Sequence, residues 1–208
     1  MTAMADEVAP STTNIHERVV AATLTCVARH GLHKTTIDDV AREAGCSRAT
    51  LYRHIGGKAE LVGLVVRTEA DRIAEQVRAA ADLEDSLEDA VVAMLAIAGK
   101  ELDEHDALRF VADFEPERLL PHLTFAGGDR FLARVSAAFA PALERFVPGH
   151  PDRAAEWVAR VGLTLWLCPN GPVSLSDLNL LRDYVRDFVV PGLVAISDTP
   201  TLAVTSRR

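Results

Sequence analysis

Apolar positions recur along this chain at three- and four-residue intervals almost throughout, and no long run alternates with period two. The pattern is that of helices. Ile15, Val19, Ala22 and Cys26 form one stripe, widened by Val20, Leu24 and Val27, which predicts a first helix over 13–30. Gly31 stands where a C-terminal cap belongs. Ile37, Val40, Ala41 and Ala44 predict a short second helix, capped by Thr35 or Thr36 with Asp38 or Asp39 three positions on, and ended by Gly45. Ser47 caps a third helix over 47–55 with Leu51 and Ile55 inside. Gly56-Gly57 breaks the chain, and a fourth helix is expected over 58–81. Further helices are expected at 84–101, 103–114, 129–146, 151–168 and 176–195, the last kinked or ended by Pro191. "EPERLLPH" reads as a proline-bounded turn of helix, "TFAGGD" as a loop and "CPNGPVS" as a breaker.

The second and third helices are very short and meet at Ala44-Gly45-Cys46. A small residue at the crossing, a glycine in the turn and a hydroxyl cap on the second member are the grammar of a helix-turn-helix. Helices of that length are marginal alone and persist only when packed on a third, which the first helix supplies. The outer face of the third helix is therefore free for another task. With 208 residues and 49% apolar side chains there is enough material for one small domain and one larger one. The longest apolar run, 90–99, is about half of the roughly 20 residues that span a bilayer. The N-terminal segment contains acids and has no apolar core of the signal-peptide kind. Three widely spaced cysteines, Cys26, Cys46 and Cys168, point to free thiols in a reducing cytoplasm, each most simply a small buried apolar residue.

The formal net charge of −8 is unevenly spread: residues 1–60 are balanced, 61–150 carry the whole excess, and 151–208 are balanced again. Within the first part, "CSRATLYRHIGGK" (Cys46 to Lys58) contains Arg48, Arg53, His54 and Lys58 and no acid. Its outer face is Ser47, Arg48, Ala49, Thr50, Tyr52 and Arg53. An arginine there can pair bidentately with guanine in the major groove, a small residue lets the backbone approach the bases, and the Thr50 methyl can meet a thymine methyl. Ser47, Tyr52, His54 and Lys58 are the usual kind of phosphate contact, and the helix starts at Thr36 and Lys58 suit an anion. The competing reading is a solvated helix face carrying chance charge. The cap, short turn, small residues and absence of acid all favour duplex DNA.

"GLHKTTIDDVAREAGCSRATLYRHIGGKAEL" resembles the N-terminal DNA-binding domain of TetR/AcrR-type transcriptional regulators over about residues 14–65. The resemblance implies DNA contacts at Thr36, Ser47, Arg48, Ala49, Thr50, Tyr52, Arg53, His54 and Lys58. Three positions depart from the family pattern: Cys46 for valine, Ile55 for phenylalanine, and Gly57 for a serine or asparagine cap, which is expected to loosen the start of the fourth helix. Beyond residue 65 only the architecture is similar. The expected fold is all-α: a three-helix helix-turn-helix DNA-binding domain over 12–60 joined to a larger helical ligand-binding and dimerisation domain over 61–197, with tails at 1–11 and 198–208. The function implied is a cytoplasmic, ligand-responsive transcriptional regulator, a homodimeric repressor that binds a pseudo-palindromic operator and is released by a small-molecule effector.

Other constellations compete with plainer readings. His105, Asp106 and His122 could join at a metal, but acids at a helix start favour the dipole anyway, so no metal or cofactor is expected. HExxH, P-loop, GxSxG and GxGxxG motifs are absent, which leaves an enzymatic reading without a motif. Phe110, Phe114, Phe131 and Trp166 are candidates for lining an effector pocket, as well as for plain core. The nearly all-round apolar "WVARVGLTLWL" and the following amphipathic helix place Trp157, Val161, Leu165, Leu181, Tyr184 and Phe188 as candidates for a dimer interface. The rival functions are a helix-turn-helix fused to a catalytic helical bundle, and a protein-interaction module without DNA affinity.

Overall fold

The computed structural model describes residues 12–197, and every element among them is helical. The tails expected at 1–11 and 198–208 lie outside the described residues. The helices are α1 (Thr12–Lys34), α2 (Ile37–Glu43), α3 (Arg48–His54), α4 (Lys58–Ala81), α5 (Leu87–Asp103), α6 (Asp106–Phe114), α7 (Pro116–Leu123), α8 (Phe125–Leu143), α9 (Pro151–Leu167), α10 (Leu178–Tyr184) and α11 (Val190–Ser197). A π turn, Val185–Val189, links the last two.

Two compact units result: the chain up to Thr68 together with Asp106–Leu119, and Glu69–His105 together with the chain from Leu120 onward. The boundary expected at 60/61 and the change at Thr68 both fall inside α4, a continuous helix with no break to mark either. The sequence gives no sign that α6 leaves its neighbours and packs on α1.

In the first unit the predicted stripe is the core. Ile15, Val19, Ala22 and Cys26 of α1 bury against Ile37, Val40, Ala41 and Ala44 of α2, Leu51 of α3 and Leu61 of α4, with Cys46 and Ile55 packed alongside. Val19, Val40 and Leu51 are fully buried. Cys26 is buried, and burial is the main cause raising its thiol pKa. α1 is interrupted at Gly31, whose φ of 80° and ψ of 162° are open only to glycine. A Cβ at Gly31 would also collide with the Glu115 carboxylate and lie 2.6 Å from Phe110 Cε1. α6 therefore reaches α1 at the one position without a side chain, and the Glu115 carboxylate accepts the His33 N–H at 2.8 Å.

The core of the second unit runs from Ala74 on α4 through α5, α8 and α9 to Leu193 on α11. "TFAGGD" is helical from Phe125 instead of a loop. Its glycines serve close approach: a Cβ at Gly127 would collide with the Pro121 carbonyl, and one at Gly128 would lie 2.7 Å from the Leu123 carbonyl. Cys168 ends α9 exposed, contrary to the expectation of a buried residue, and all three cysteines are free.

Pro191 neither ends nor sharply breaks the last helix. The chain widens into the π turn just before it, where the Val190 N–H bonds the Val185 carbonyl five residues back. Leu181, Val185, Val189 and Leu193 are 0%, 0%, 1% and 0% exposed, a buried line of constant four-residue period. In an unbroken α-helix such a line drifts by about 40° at each step. The wider turn cancels that drift and keeps the line on the core, which leaves Phe188 outside and 68% exposed.

Replacing Gly31 by alanine is expected to destabilise the protein by about 1–3 kcal/mol, through backbone strain and the displaced Glu115. Denaturant melts check this. Gly149→Ala, where an added Cβ meets nothing within 4 Å and φ is not positive, is the matched control.

Candidate nucleic-acid interface

The turn between α2 and α3 is closed by backbone hydrogen bonds. Gly45, with φ of 63°, donates to Arg42 O at 3.2 Å, and Cys46 donates to Ala41 O at 2.9 Å. These are the paired bonds of a Schellman motif, which wants an apolar residue after its glycine. Cys46 fills that role against the core, so its departure from the valine pattern is tolerated. Arg18 of α1 donates to the Ala44 carbonyl and, at 3.0 Å, to the Gly45 carbonyl, covering the helix end from outside. Nothing in the sequence singled out Arg18, one charged residue among several on α1.

Both caps form. Thr36 and Asp39 make a reciprocal capping box: Thr36 Oγ1 accepts the Asp39 N–H at 3.2 Å, and Asp39 Oδ2 accepts the Thr36 N–H at 3.1 Å. The hydrogen bonds from Thr36 hold the Asp39 carboxyl below its ordinary pKa. Ser47 Oγ accepts the Thr50 N–H at 3.0 Å and lies 2.9 Å from its hydroxyl. At the start of α4 only half of such a box exists: Glu60 Oε2 accepts the Gly57 N–H at 2.9 Å, and Gly57 has no side chain to return the bond.

Ser47, Arg48, Ala49, Tyr52, Arg53 and His54 are exposed along α3, with Thr50 half-buried beside them, while Leu51 alone turns fully inward. One side of a two-turn helix thus carries two guanidiniums, an imidazole, a phenol and two hydroxyls. Arg48 is held on two sides. Its Nη1 donates to Asp38 Oδ2 at 3.0 Å, and its guanidinium carbon lies 5.4 Å from the centre of the Tyr52 ring. From the sequence Asp38 reads as a possible cap and not as part of this face.

Thr36 is exposed, but its hydroxyl and N–H are both engaged within the capping box. Lys58 departs further from the expectation of an open phosphate contact. Its ammonium is half-buried and donates to Leu32 O at 2.7 Å, His33 O at 3.1 Å and Thr35 O at 2.8 Å. All three N–H groups are used on carbonyls just beyond Gly31, so Lys58 ties the start of α4 to the end of α1. Burial, with the charge of Arg118, lowers its pKa, and Glu115 opposes the shift.

The other candidates separate. Phe110 and Phe114 lie in the first unit, their rings 5.1 Å apart and Phe114 72% exposed. Phe131 and Trp166 lie in the second, packed against its core. The four are not brought together within one unit. Of the interface candidates, Trp157 and Phe188 are exposed, and Leu165 and Tyr184 are half-buried, with the Tyr184 and Phe188 rings 5.5 Å apart. Val161 and Leu181 point into the chain's own core and have no surface to offer. His105 Nε2 faces Glu69 Oε2 at 3.2 Å, and among the described residues no three His, Cys, Asp or Glu side chains are grouped to hold a metal.

Residues 19–65 match the family described as bacterial regulatory proteins, tetR family. An uncharacterized HTH-type transcriptional regulator of Mycobacterium tuberculosis (strain ATCC 25618 / H37Rv) is 27% identical over 76% of this chain and 77% of its own. The HTH-type transcriptional regulator SrpR of Pseudomonas putida is 26% identical over 62% of this chain and 61% of its own. Among solved structures, the TetR family repressor AlkX from Dietzia sp. superimposes with a TM-score of 0.70 at 21% identity, covering 86% of this chain and 97% of AlkX. The R. erythropolis repressor QsdR gives 0.60 at 16% identity, covering 93% and 100%. The fold and the exposed face of α3 define a helix-turn-helix DNA-binding domain. Residues 19–65 thus carry a tetR-family helix-turn-helix, and over about three quarters of its length the chain is similar to TetR-type transcriptional regulators, the described residues being all-α with that domain at the N-terminal end. No described helix is long and apolar enough to cross a membrane.

Lys58→Met is expected to lower thermal stability by about 1–3 kcal/mol, because it strands half-buried carbonyls. The dependence of DNA affinity on salt should stay unchanged. A slope reduced by about one per half-site would place the ammonium on a phosphate instead.

Proposed function

We propose that this regulator is a cytoplasmic homodimeric repressor that binds a pseudo-palindromic operator and leaves it when a small-molecule effector binds. The observation that carries the proposal is the exposed face of α3, which is basic and free of acid on a chain of net charge −8. Ser47, Arg48, Ala49, Thr50, Tyr52, Arg53 and His54 are the contacts proposed, with Thr36 beside them at the α2 cap and Lys58 acting through the position of α4. The DNA-binding domain is taken as 12–60 and the ligand-binding and dimerisation domain as 61–197.

A single short recognition helix makes too few contacts for tight specific binding. Two, held about 34–36 Å apart, meet successive major-groove faces of one operator. Support for a dimer comes from apolar side chains left in water on the last helices: Trp157 is 45% exposed, Leu167 38%, Phe188 68% and Val194 48%. Exposed aromatics of this size are the usual anchors of an interface. Effector release needs a coupling of only about 1–3 kcal/mol to change operator affinity 5–150-fold.

Arg48→Ala is expected to cost about 1–3 kcal/mol of operator binding and to relax preference at one base pair per half-site. Binding titrations on the operator and on scrambled duplex test this; equal losses on both would remove the base-reading role. Phe188→Glu is expected to give a monomer, seen by sedimentation, that keeps its helical content and loses operator binding. A dimer that binds normally would overturn the interface.

A further inference from the structure

The recognition face is free of acid along α3, yet a carboxylate reaches it from outside. Asp38 sits in the first turn of α2, about half exposed, and its Oδ2 accepts from Arg48 Nη1 at 3.0 Å. Capping does not explain it, because Thr36 and Asp39 already form the complete box at this helix start. Stability explains little, because an ion pair this exposed contributes between nothing and about 1 kcal/mol. On a surface that approaches phosphates, an extra carboxylate weakens binding to every sequence alike. Its position against Arg48 therefore calls for a gain of another kind.

That gain lies in the geometry of the guanidinium. A free arginine side chain samples many rotamers, and ordering it on binding is costly in entropy. Here the plane is fixed between two supports from different helices: the Asp38 carboxylate on α2 and the Tyr52 ring on α3, 5.4 Å from the guanidinium carbon. Asp38 engages Nη1, Tyr52 also holds the guanidinium by a side-chain hydrogen bond, and the N–H groups that remain face outward for a ligand. A fork fixed in this way matches the paired O6 and N7 acceptors of guanine, and phosphate oxygens need no such fixed orientation. Resting on the DNA-binding reading above, we infer that Asp38 is a specificity-determining positioning residue, which holds Arg48 in the orientation that reads one guanine per half-site.

The test uses the full-length protein and duplexes selected by it from a random pool. Asp38→Ala and Asp38→Asn are compared with wild type on the selected duplex, on duplexes with each G·C pair replaced, and on scrambled DNA. Asp38→Asn keeps a neutral acceptor of the same shape, and circular dichroism shows that each variant folds. Both variants are expected to bind scrambled DNA at least as tightly as wild type. Both should lose most of the discrimination at the single pair where Arg48→Ala also loses it, a factor of roughly 5–150. Asp38→Ala added to Arg48→Ala should cost nothing further at that pair. Variants that keep wild-type discrimination, that weaken selected and scrambled binding equally, or that add to Arg48→Ala overturn the inference while leaving DNA binding intact. A wild-type protein that enriches no sequence overturns the DNA-binding reading itself.

Discussion

The recognition surface depends on the apolar stripe of α1. Two seven-residue helices carry the turn and the face, and neither is long enough to hold its own hydrogen bonds against water. Val40 and Leu51 supply the grip, each fully buried in the cluster that Ile15, Val19, Ala22 and Cys26 build. Because the inner side of α3 is satisfied by Leu51 alone, with Ile55 at its end, the remaining positions are released from packing and can be polar. The face exists as a surface because another helix took over the work of stability.

Polar contacts then fix what the apolar core only collects. The Schellman bonds at Gly45, the Arg18 guanidinium over the same carbonyls and the two hydroxyl caps set the angle at which α3 leaves α2. At the other end, the Lys58 ammonium gathers three carbonyls beyond Gly31, and Glu115 receives the His33 N–H among them. Where α1, α4 and α6 meet, this ammonium and this carboxylate bind the backbone directly, and Arg118 reaches the His33 ring at 3.0 Å. A long cation near DNA reads most readily as a phosphate ligand, and here it is a structural tie.

Legibility in the sequence followed the range of the interaction. The core of the first unit was readable because its stripes are local and its caps lie within three residues of what they cap, as at Thr36 and Asp39. The start of α4 at Lys58 and the exposed face of α3 were readable for the same reason. Contacts across long separations left no mark: α6 on α1, Arg18 on the α2 end, and the carbonyls around Lys58. Asp38 and Arg48 were each visible, but their contact across ten positions was not. Gly127 and Gly128 misled because a glycine that makes room for another backbone looks, in sequence, like one that makes a turn. Val161 and Leu181 misled because an apolar side chain does not say which of two apolar surfaces it serves.

The π turn before Pro191 affects the outer surface as well as the core. Leu180, Tyr184 and Phe188 repeat the same four-residue interval as the buried line beside them. An ordinary helix carries such a row around its axis as a slow spiral, so that its ends look in different directions. The π turn, Val185–Val189, takes back part of that spiral between Tyr184 and Phe188, whose rings stay 5.5 Å apart. The side that this pair presents is set by the number of residues in a turn and not by the identity of any side chain.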